Sequence, residues 1–335
     1  MPAVSRVARE ELGAGVVLRE LSVEEYVRDV LTHSAKLWAG KRDLATYVAE
    51  FRAAATSTWG KRRFRTYGLV VDGAIVASLK RYDRALRCGE RTCRAAGIGA
   101  VFTPQPLRGR GYATTLLGAF LDAQVAAGTD LAYLFSDIGV PFYAALGFEP
   151  LPSRAISLRA DALGGERRAI VTLGERDAGA MRRTFDALER RRAFAFARTP
   201  LEWEWQRLRA ASRDHDAPTL RLGIRNGAAS LAAYVVGRRI PSSDAFVVDE
   251  MAYARDEDAH LVPPLLRAAA GDLRRVVGWL PPLPARGALP AGAVRKRASS
   301  IAMLVPLSAA FRSLWRTRGA ALIGSGDPFW STDHI

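Results

Sequence analysis

The chain has 335 residues, 49% of them apolar, with 49 Lys and Arg against 34 Asp and Glu for a net charge of +15. That length holds about two domains with cores of their own, and the absence of low-complexity tracts excludes a disordered chain. Two cysteines five apart and four scattered histidines match no zinc or CxxC spacing, and no apolar run reaches the roughly 18 residues that cross a bilayer. Only Lys36, Lys41, Lys61, Lys80 and Lys296 are lysines, so arginine carries the charge excess. With abundant Ala and Gly, the skew reads first as the codon bias of a GC-rich genome and second as a taste for an anionic partner. The arginines are spread evenly and no nucleic-acid motif accompanies them, so no nucleic acid is expected. The N-terminus lacks the apolar stretch of a signal peptide. A soluble cytoplasmic protein without a metal is the expectation.

The first elements alternate in kind. Residues 16–21 read as a strand, and Ser22 with Glu25 forms a capping box opening a helix that runs to Trp38, with more helix from Asp43 to Ala55. Residues 65–86 hold two strands around Asp72-Gly73, a strong hairpin signal, and another strand covers 97–103. A helix then starts near Gly111 and stops before Gly128, with Ala113, Leu116, Leu117, Phe120 and Leu121 on one face. LAYLFS (131–136) is a buried strand. PFYAALGFEP (141–150) opens a short helix on Pro141 and closes it at Gly147. This order gives an α/β (α+β) layer and excludes a helical bundle.

From about residue 155 the layout repeats. AISLRADAL is a strand, DAGAMRRTFDALERRR and TPLEWEWQRLRAA are helices, a hairpin turns at Asn226-Gly227, AFVVDEMAYA is a strand and 261–270 a helix. SSIAMLVPLSAAFRSLWRTRGAALIGSGDPFWSTDHI (299–335) reads as a strand, a helix and a tail, expected to finish this second copy. Domain limits of 1–152, 153–320 and a tail of 321–335 follow. Trp203 and Trp205 read as domain-packing residues, the Arg190–Arg192 run as a solvated face or a helix end, and Cys88 and Cys93 as inert or solvent-facing.

VFTPQPLRGRGYATTLLGAF (101–120) sets two glycines and two arginines between a strand and an amphipathic helix. A helix N-terminus leaves about four N–H groups unpaired and carries a partial positive charge, so this is a candidate pyrophosphate cradle. Walker A is excluded because no Gly-Lys-Ser/Thr follows, and Thr114 stands where a dinucleotide fingerprint needs its third glycine. The corresponding segment of the second copy, ARDEDAHLVPPLL (254–266), has three acids and two prolines and should not hold a phosphate.

Arg108-x-x-Gly111-x-Ala113 after a strand, followed by a buried strand and FYAALGF, resembles the GNAT superfamily of acyl-CoA-dependent N-acyltransferases. The degenerate second copy makes it similar to tandem GNAT proteins, above all the enhanced intracellular survival (Eis) acetyltransferases, although the chain is too short for their third domain. The resemblance implies tandem folds with a mixed, mostly antiparallel central sheet flanked by helices. It also implies acetyl-CoA as donor and a primary amine as acceptor, and allows a homo-oligomer. By the same resemblance Val101, Phe102 and Thr103 would bind the pantetheine arm through their backbone. Arg108, Gly109, Arg110, Gly111, Tyr112, Ala113 and Thr114 would hold the pyrophosphate, with Ser136 and Asp137 beside it. Tyr143 would protonate the departing thiolate; without the motif it is simply a core aromatic. The linker from Ser136 to Tyr143 is about two residues longer than the family pattern.

DPFWSTDHI (327–335) is too aromatic for an ordinary frayed terminus. In the Eis family the terminal carboxylate takes the proton from the acceptor amine, a role that would fall to Ile335, with Asp333 and His334 as rivals. The alternative to an enzyme is a non-catalytic acyl-CoA sensor or scaffold on the same fold.

Overall fold

The alternating apolar pattern of the first hundred residues makes four antiparallel strands in sequence order: β1 (Val16–Leu21), β2 (Phe64–Val71), β3 (Ala74–Cys88) and β4 (Arg91–Phe102). The computed structural model describes residues 15–165, 168–215, 217–279, 289, 294–324 and 327–335. Helix α1 (23–38) begins as the sequence requires: the Ser22 hydroxyl accepts from the Glu25 N–H, and the Glu25 carboxylate accepts from the Ser22 N–H at 2.9 Å. The β2–β3 turn places Asp72 and Gly73 at φ +50° and +82°, as a tight hairpin between right-twisting strands demands. Helices α2 (Leu44–Thr56) and α3 (Thr58–Arg63) join α1 on one face of the sheet. Helix α4 (Tyr112–Ala126) covers the other face, packing Leu116, Leu117 and Phe120 onto Leu79, Ile98 and Leu134. Strand β5 (Leu131–Ser136) lies parallel to β4, and α5 (Pro141–Ala144) and β6 (Glu149–Pro150) follow.

The second sheet repeats this order. It is built from β7 (Arg154–Arg159), β8 (Ile170–Thr172), β10 (Thr219–Arg225), β11 (Leu231–Ile240), β12 (Ala245–Tyr253), β13 (Arg275–Trp279) and β14 (Val294–Lys296), with β9 (Phe194–Phe196) lying elsewhere. Helices α6 (Ala178–Arg190) and α7 (Pro200–Arg213) fall between β8 and β10, as α1 to α3 fall between β1 and β2 in the first sheet, and α8 (Val262–Ala270) follows β12. The 226–230 hairpin turns at Asn226-Gly227 through a five-residue loop closed by Asn226 N–H to Ser230 O. The tandem architecture read from the repeat is present.

The strand and helix after residue 300 do not finish the second copy as expected. Strand β15 (Ile301–Pro306) sits between β5 and β6 of the first sheet, pairing Ile301 to Pro306 with Ser136 to Leu131. Strand β7 takes the equivalent place between β13 and β14. Each copy therefore surrenders its penultimate sheet position to a strand from the other. Ala302, Met303 and Leu304 are fully buried, which only an interior strand covered on both faces achieves. Helix α9 (Ala309–Ile323) accompanies β15, and β9 also joins the first sheet, against Leu86 to Cys88.

Two smaller expectations change. Cys88 and Cys93 are free thiols but buried, packed with Phe194, Phe311 and Phe329 in the seam between the copies. The Arg190–Arg192 run does end α6, but it is not a solvated face: only Arg190 is exposed, and Arg192 is buried, pairing with Glu189 and donating to the Pro328 carbonyl. Trp205 packs the domains together as expected, stacked on Trp59 at 4.0 Å with the ring planes 7° apart.

Candidate active site

Strands β4 and β5 are paired only from Ala95–Leu131 to Ile98–Leu134, although each runs further. Past Ile98 they part, so Gly99 to Phe102 lacks a strand partner on the β5 side. On the β3 side, Ser78 faces Phe102 while Lys80 faces Gly99, so β4 carries one extra residue. Ala100 there takes φ +46°, a region that non-glycine residues seldom enter and that clusters at functional sites. The opening between the strands can take an extended chain bearing amides, which would bond to the unpaired backbone edge. Val101 packs towards the core that contains Tyr143, and Phe102 lies on the opposite face, edge-on to Trp38 at 6.2 Å. The Thr103 hydroxyl is buried without a hydrogen-bond partner, and its carbonyl accepts from Arg108 Nε at 3.1 Å.

The chain then turns through Gly109 and Gly111, at φ +79° and +78°, where a Cβ would meet nothing within 4 Å. Gly111 caps α4, and the first helical bond runs from Thr115 N–H to Gly111 O. The N–H groups of Tyr112, Ala113 and Thr114 are left without helical acceptors beside the exposed Arg108 and Arg110. Open space, unpaired donors, a helix N-terminus and two guanidiniums suit a pyrophosphate.

Tyr143 lies on α5 with its ring against Phe142 and Phe148, centroids 5.0 and 6.0 Å away. Burial and then the Asp137 charge push its phenol up to about 12, so it is a proton donor at neutral pH. Ser136 and Asp137, expected beside the cofactor, are each hydrogen-bonded within the protein. The Ser136 hydroxyl donates to Gly139 O at 2.6 Å, and Asp137 accepts from the Ser300 N–H and hydroxyl just before β15. These bonds close the loop after β5 and tie it to the residue before the exchanged strand.

The tail docks, and it reaches this site. Phe329 and Trp330 are each 2% exposed, in the domain seam and the second core respectively. Ile335 lies on β4: a Cβ on Gly97 would fall 2.6 Å from Ile335 Cδ1, and one on Gly99 would fall 3.5 Å from the Ile335 carboxyl carbon. Those glycines permit the approach. Asp333 is committed elsewhere, accepting from Arg84 and Arg198 with one oxygen and from the Trp330 N–H with the other. Burial opposes its ionisation, but the charges of Arg198 and Arg84 outweigh that and hold its carboxyl below the usual range. His334, against Phe135 and Trp279, is pushed down to about 3 by burial and then by Arg209, Arg297 and Arg213. Neither rival is a useful base near pH 7.

Sequence reasoning missed the wall opposite. Lys80 lies on the same sheet face as Gly99, its ammonium 5.1 Å from the Phe51 ring centroid and 5.6 Å from that of Tyr26. Burial and then the Arg42 charge lower it to about 8. It also missed Arg84, Glu202 and Arg198, a buried charge cluster gripping the tail from both domains. The GIGA sequence (97–100), with two glycines inside a strand, was the available signal for a close approach.

The second copy has no such cradle. At its α8 start, Asp258 accepts from the Arg255 N–H and pairs with the Arg255 side chain, and Pro263 and Pro264 open the helix. Among the described residues no His, Cys, Asp or Glu group is arranged to hold a metal, and no helix is long and apolar enough to cross a membrane.

Residues 18–151 match the acetyltransferase (GNAT) domain family. No curated protein matches the chain. Solved structures do. A GCN5-related N-acetyltransferase from Kribbella flavida aligns at 22% identity over 88% of this chain and 73% of its own, with a TM-score of 0.66. Eis1 from Mycobacterium abscessus aligns at 16% identity over 87% and 74%, TM-score 0.58. A tandem GNAT protein from the clavulanic acid biosynthesis pathway aligns at 14% over 88% and 99%, TM-score 0.52. At these identities the likeness is one of fold.

Proposed function

From the match of residues 18–151 to the acetyltransferase (GNAT) domain family, we propose that the chain transfers an acetyl group from acetyl-CoA directly to a primary amine, in its first domain only. The observation that carries this reading is the convergence on one stretch of β4: the parting from β5 on one side, the glycine-lined helix start beyond it, and the chain's terminal residue against Gly99.

In this reading Val101, Phe102 and Thr103 hold the pantetheine arm by their backbone. Arg108, Arg110 and the N–H groups from Gly109 to Thr114 hold the pyrophosphate. An amine near its ordinary pKa of about 10 must lose a proton before it attacks the thioester carbonyl, and the Ile335 carboxylate receives it. As the C–S bond breaks, the Tyr143 hydroxyl gives its proton to the thiolate.

Consumption of acetyl-CoA across a panel of amines tests the activity; no turnover with any of them leaves the non-catalytic sensor. Calorimetry is expected to give one acetyl-CoA per chain, and two equivalents would overturn the account of the second copy. Gly111→Glu is expected to abolish that binding. It forces a side chain into the left-handed region, at a cost of about 1 kcal/mol, and places a carboxylate among the phosphate donors. Retained affinity would move the phosphates away from α4.

A further inference from the structure

A cavity of about 360 Å³ lies in the second domain, between α6, α7 and the sheet. Its place in the repeat is informative. Helices α6 and α7 stand where α1 to α3 stand in the first domain, and β12 has an extra residue, Asp249, where β4 has its bulge at Ala100. The cavity is therefore the second copy's counterpart of the acceptor cleft, and it persists although the neighbouring phosphate cradle is gone.

The walls are not evenly matched in charge. The two acids at the floor are already satisfied. Asp249 pairs with Arg213 and Arg238 at 3.3 and 3.2 Å, and Glu250 accepts from the Tyr234 hydroxyl at 2.6 Å, from Thr332 and from Arg198. The donors are in surplus. Nε of Arg198 and Nε of Arg213 are buried without hydrogen-bond partners. Arg182, Arg207 and Arg221 line the walls and form no ion pair among the described residues, against two further acids at the rim, Glu175 and Glu204. Trp203, Met181 and Val236 supply apolar surface. Buried donors without acceptors are costly, and a ligand rich in acceptor oxygens would relieve that cost.

The tail forms part of the same cavity. Thr332 lines it; the Thr332 carbonyl accepts from Gln206 Nε2 at 2.8 Å and from Arg209, while its hydroxyl accepts from Arg198. Gln206 and Arg198 are thus both cavity wall and tail clamp, and the Gln206 amide oxygen is itself buried without a partner. Ile335, on β4 of the first domain, is three residues further on.

We propose that this cavity is a second ligand site, for a small carboxylate- or phosphate-bearing molecule with an apolar body, and that its occupancy holds the C-terminal residue in the first domain's cleft. The guanidinium donors take the anionic group and Trp203 takes the apolar body. A filled cavity stiffens the Gln206 and Arg198 side chains that grip Thr332. The binding claim does not depend on acyl transfer.

The test uses the full chain and four probes: benzoate and phenyl phosphate, with benzamide and phenol as their neutral counterparts. Binding is read from the thermal midpoint and from tryptophan fluorescence, and tail position from the rate at which carboxypeptidase releases Ile335. At least one anion is expected to bind saturably and about tenfold tighter than its neutral counterpart. The double variant Arg207→Met/Arg221→Met is expected to lose that preference, and the bound anion to slow release of Ile335 severalfold. Benzoate against phenyl phosphate decides which anionic group is taken. Equal binding of charged and neutral probes, or saturation of neither anion at millimolar concentration, overturns the site on the unmodified protein. Anion binding unchanged in the double variant also overturns it. Tight anion binding with an unchanged carboxypeptidase rate overturns the link to the tail.

Discussion

Adding one glycine after Ile335 is expected to lower kcat by roughly tenfold or more while leaving acetyl-CoA affinity unchanged. The extension keeps every side chain and moves the terminal charge by about 3.5 Å. Ile335 has no room to compensate, because its side chain already lies against Gly97 and its carboxyl carbon against Gly99. Deleting the last six residues should also cost most of the activity, but that change is ambiguous. It removes Trp330 from the second core and Asp333 from Arg84 and Arg198, so stability falls as well. Gly97→Ala gives an independent check, since the new Cβ would fall 2.6 Å from both Ile335 Cδ1 and the Tyr133 hydroxyl and would displace the tail. It should reproduce the loss in kcat with the thermal midpoint of the extended chain as reference. Full activity in the glycine-extended chain would remove the carboxylate as base and leave a water chain, because Asp333 is fully paired and His334 is neutral with little basicity.

Tyr143→Phe is expected to lower kcat by about one to two orders of magnitude and to leave the affinity for acetyl-CoA and the thermal midpoint nearly intact. The ring contacts with Phe142 and Phe148 survive the substitution, so the core does not register it. Only the hydroxyl is lost, and it acts on a thiolate that exists late in the reaction. Since the phenol holds its proton up to about pH 12, the wild-type rate should show no break from Tyr143 between pH 6 and 10. An unchanged kcat in Tyr143→Phe would return the residue to a packing role.

The parts of the site that were legible share one property: they are local. The Arg-Gly-Arg-Gly turn needs positive φ at Gly109 and Gly111, and the residue types announce it. The capping box at Ser22 and the turn at Asp72-Gly73 are likewise written within four residues. The Asp137 bond to Ser300 could not be read locally, since its partner lies 163 residues away in the chain, just before the exchanged strand.

By itself the sequence determined most of the longer elements, the repeat and the glycine-flanked start of α4 with its proline-bearing counterpart in the second copy, because hydrophobic period, turn chemistry and helix capping are properties of neighbouring residues. Tertiary structure alone decided the exchange of β7 and β15, the burial of Cys88, Cys93 and Arg192, and the placing of Lys80 and Ile335 on one face of the sheet beside Gly99. A strand's apolar pattern states that it must be covered but not by which sheet. IAMLVP would satisfy either copy, and the choice falls to whichever pairing buries both of its faces.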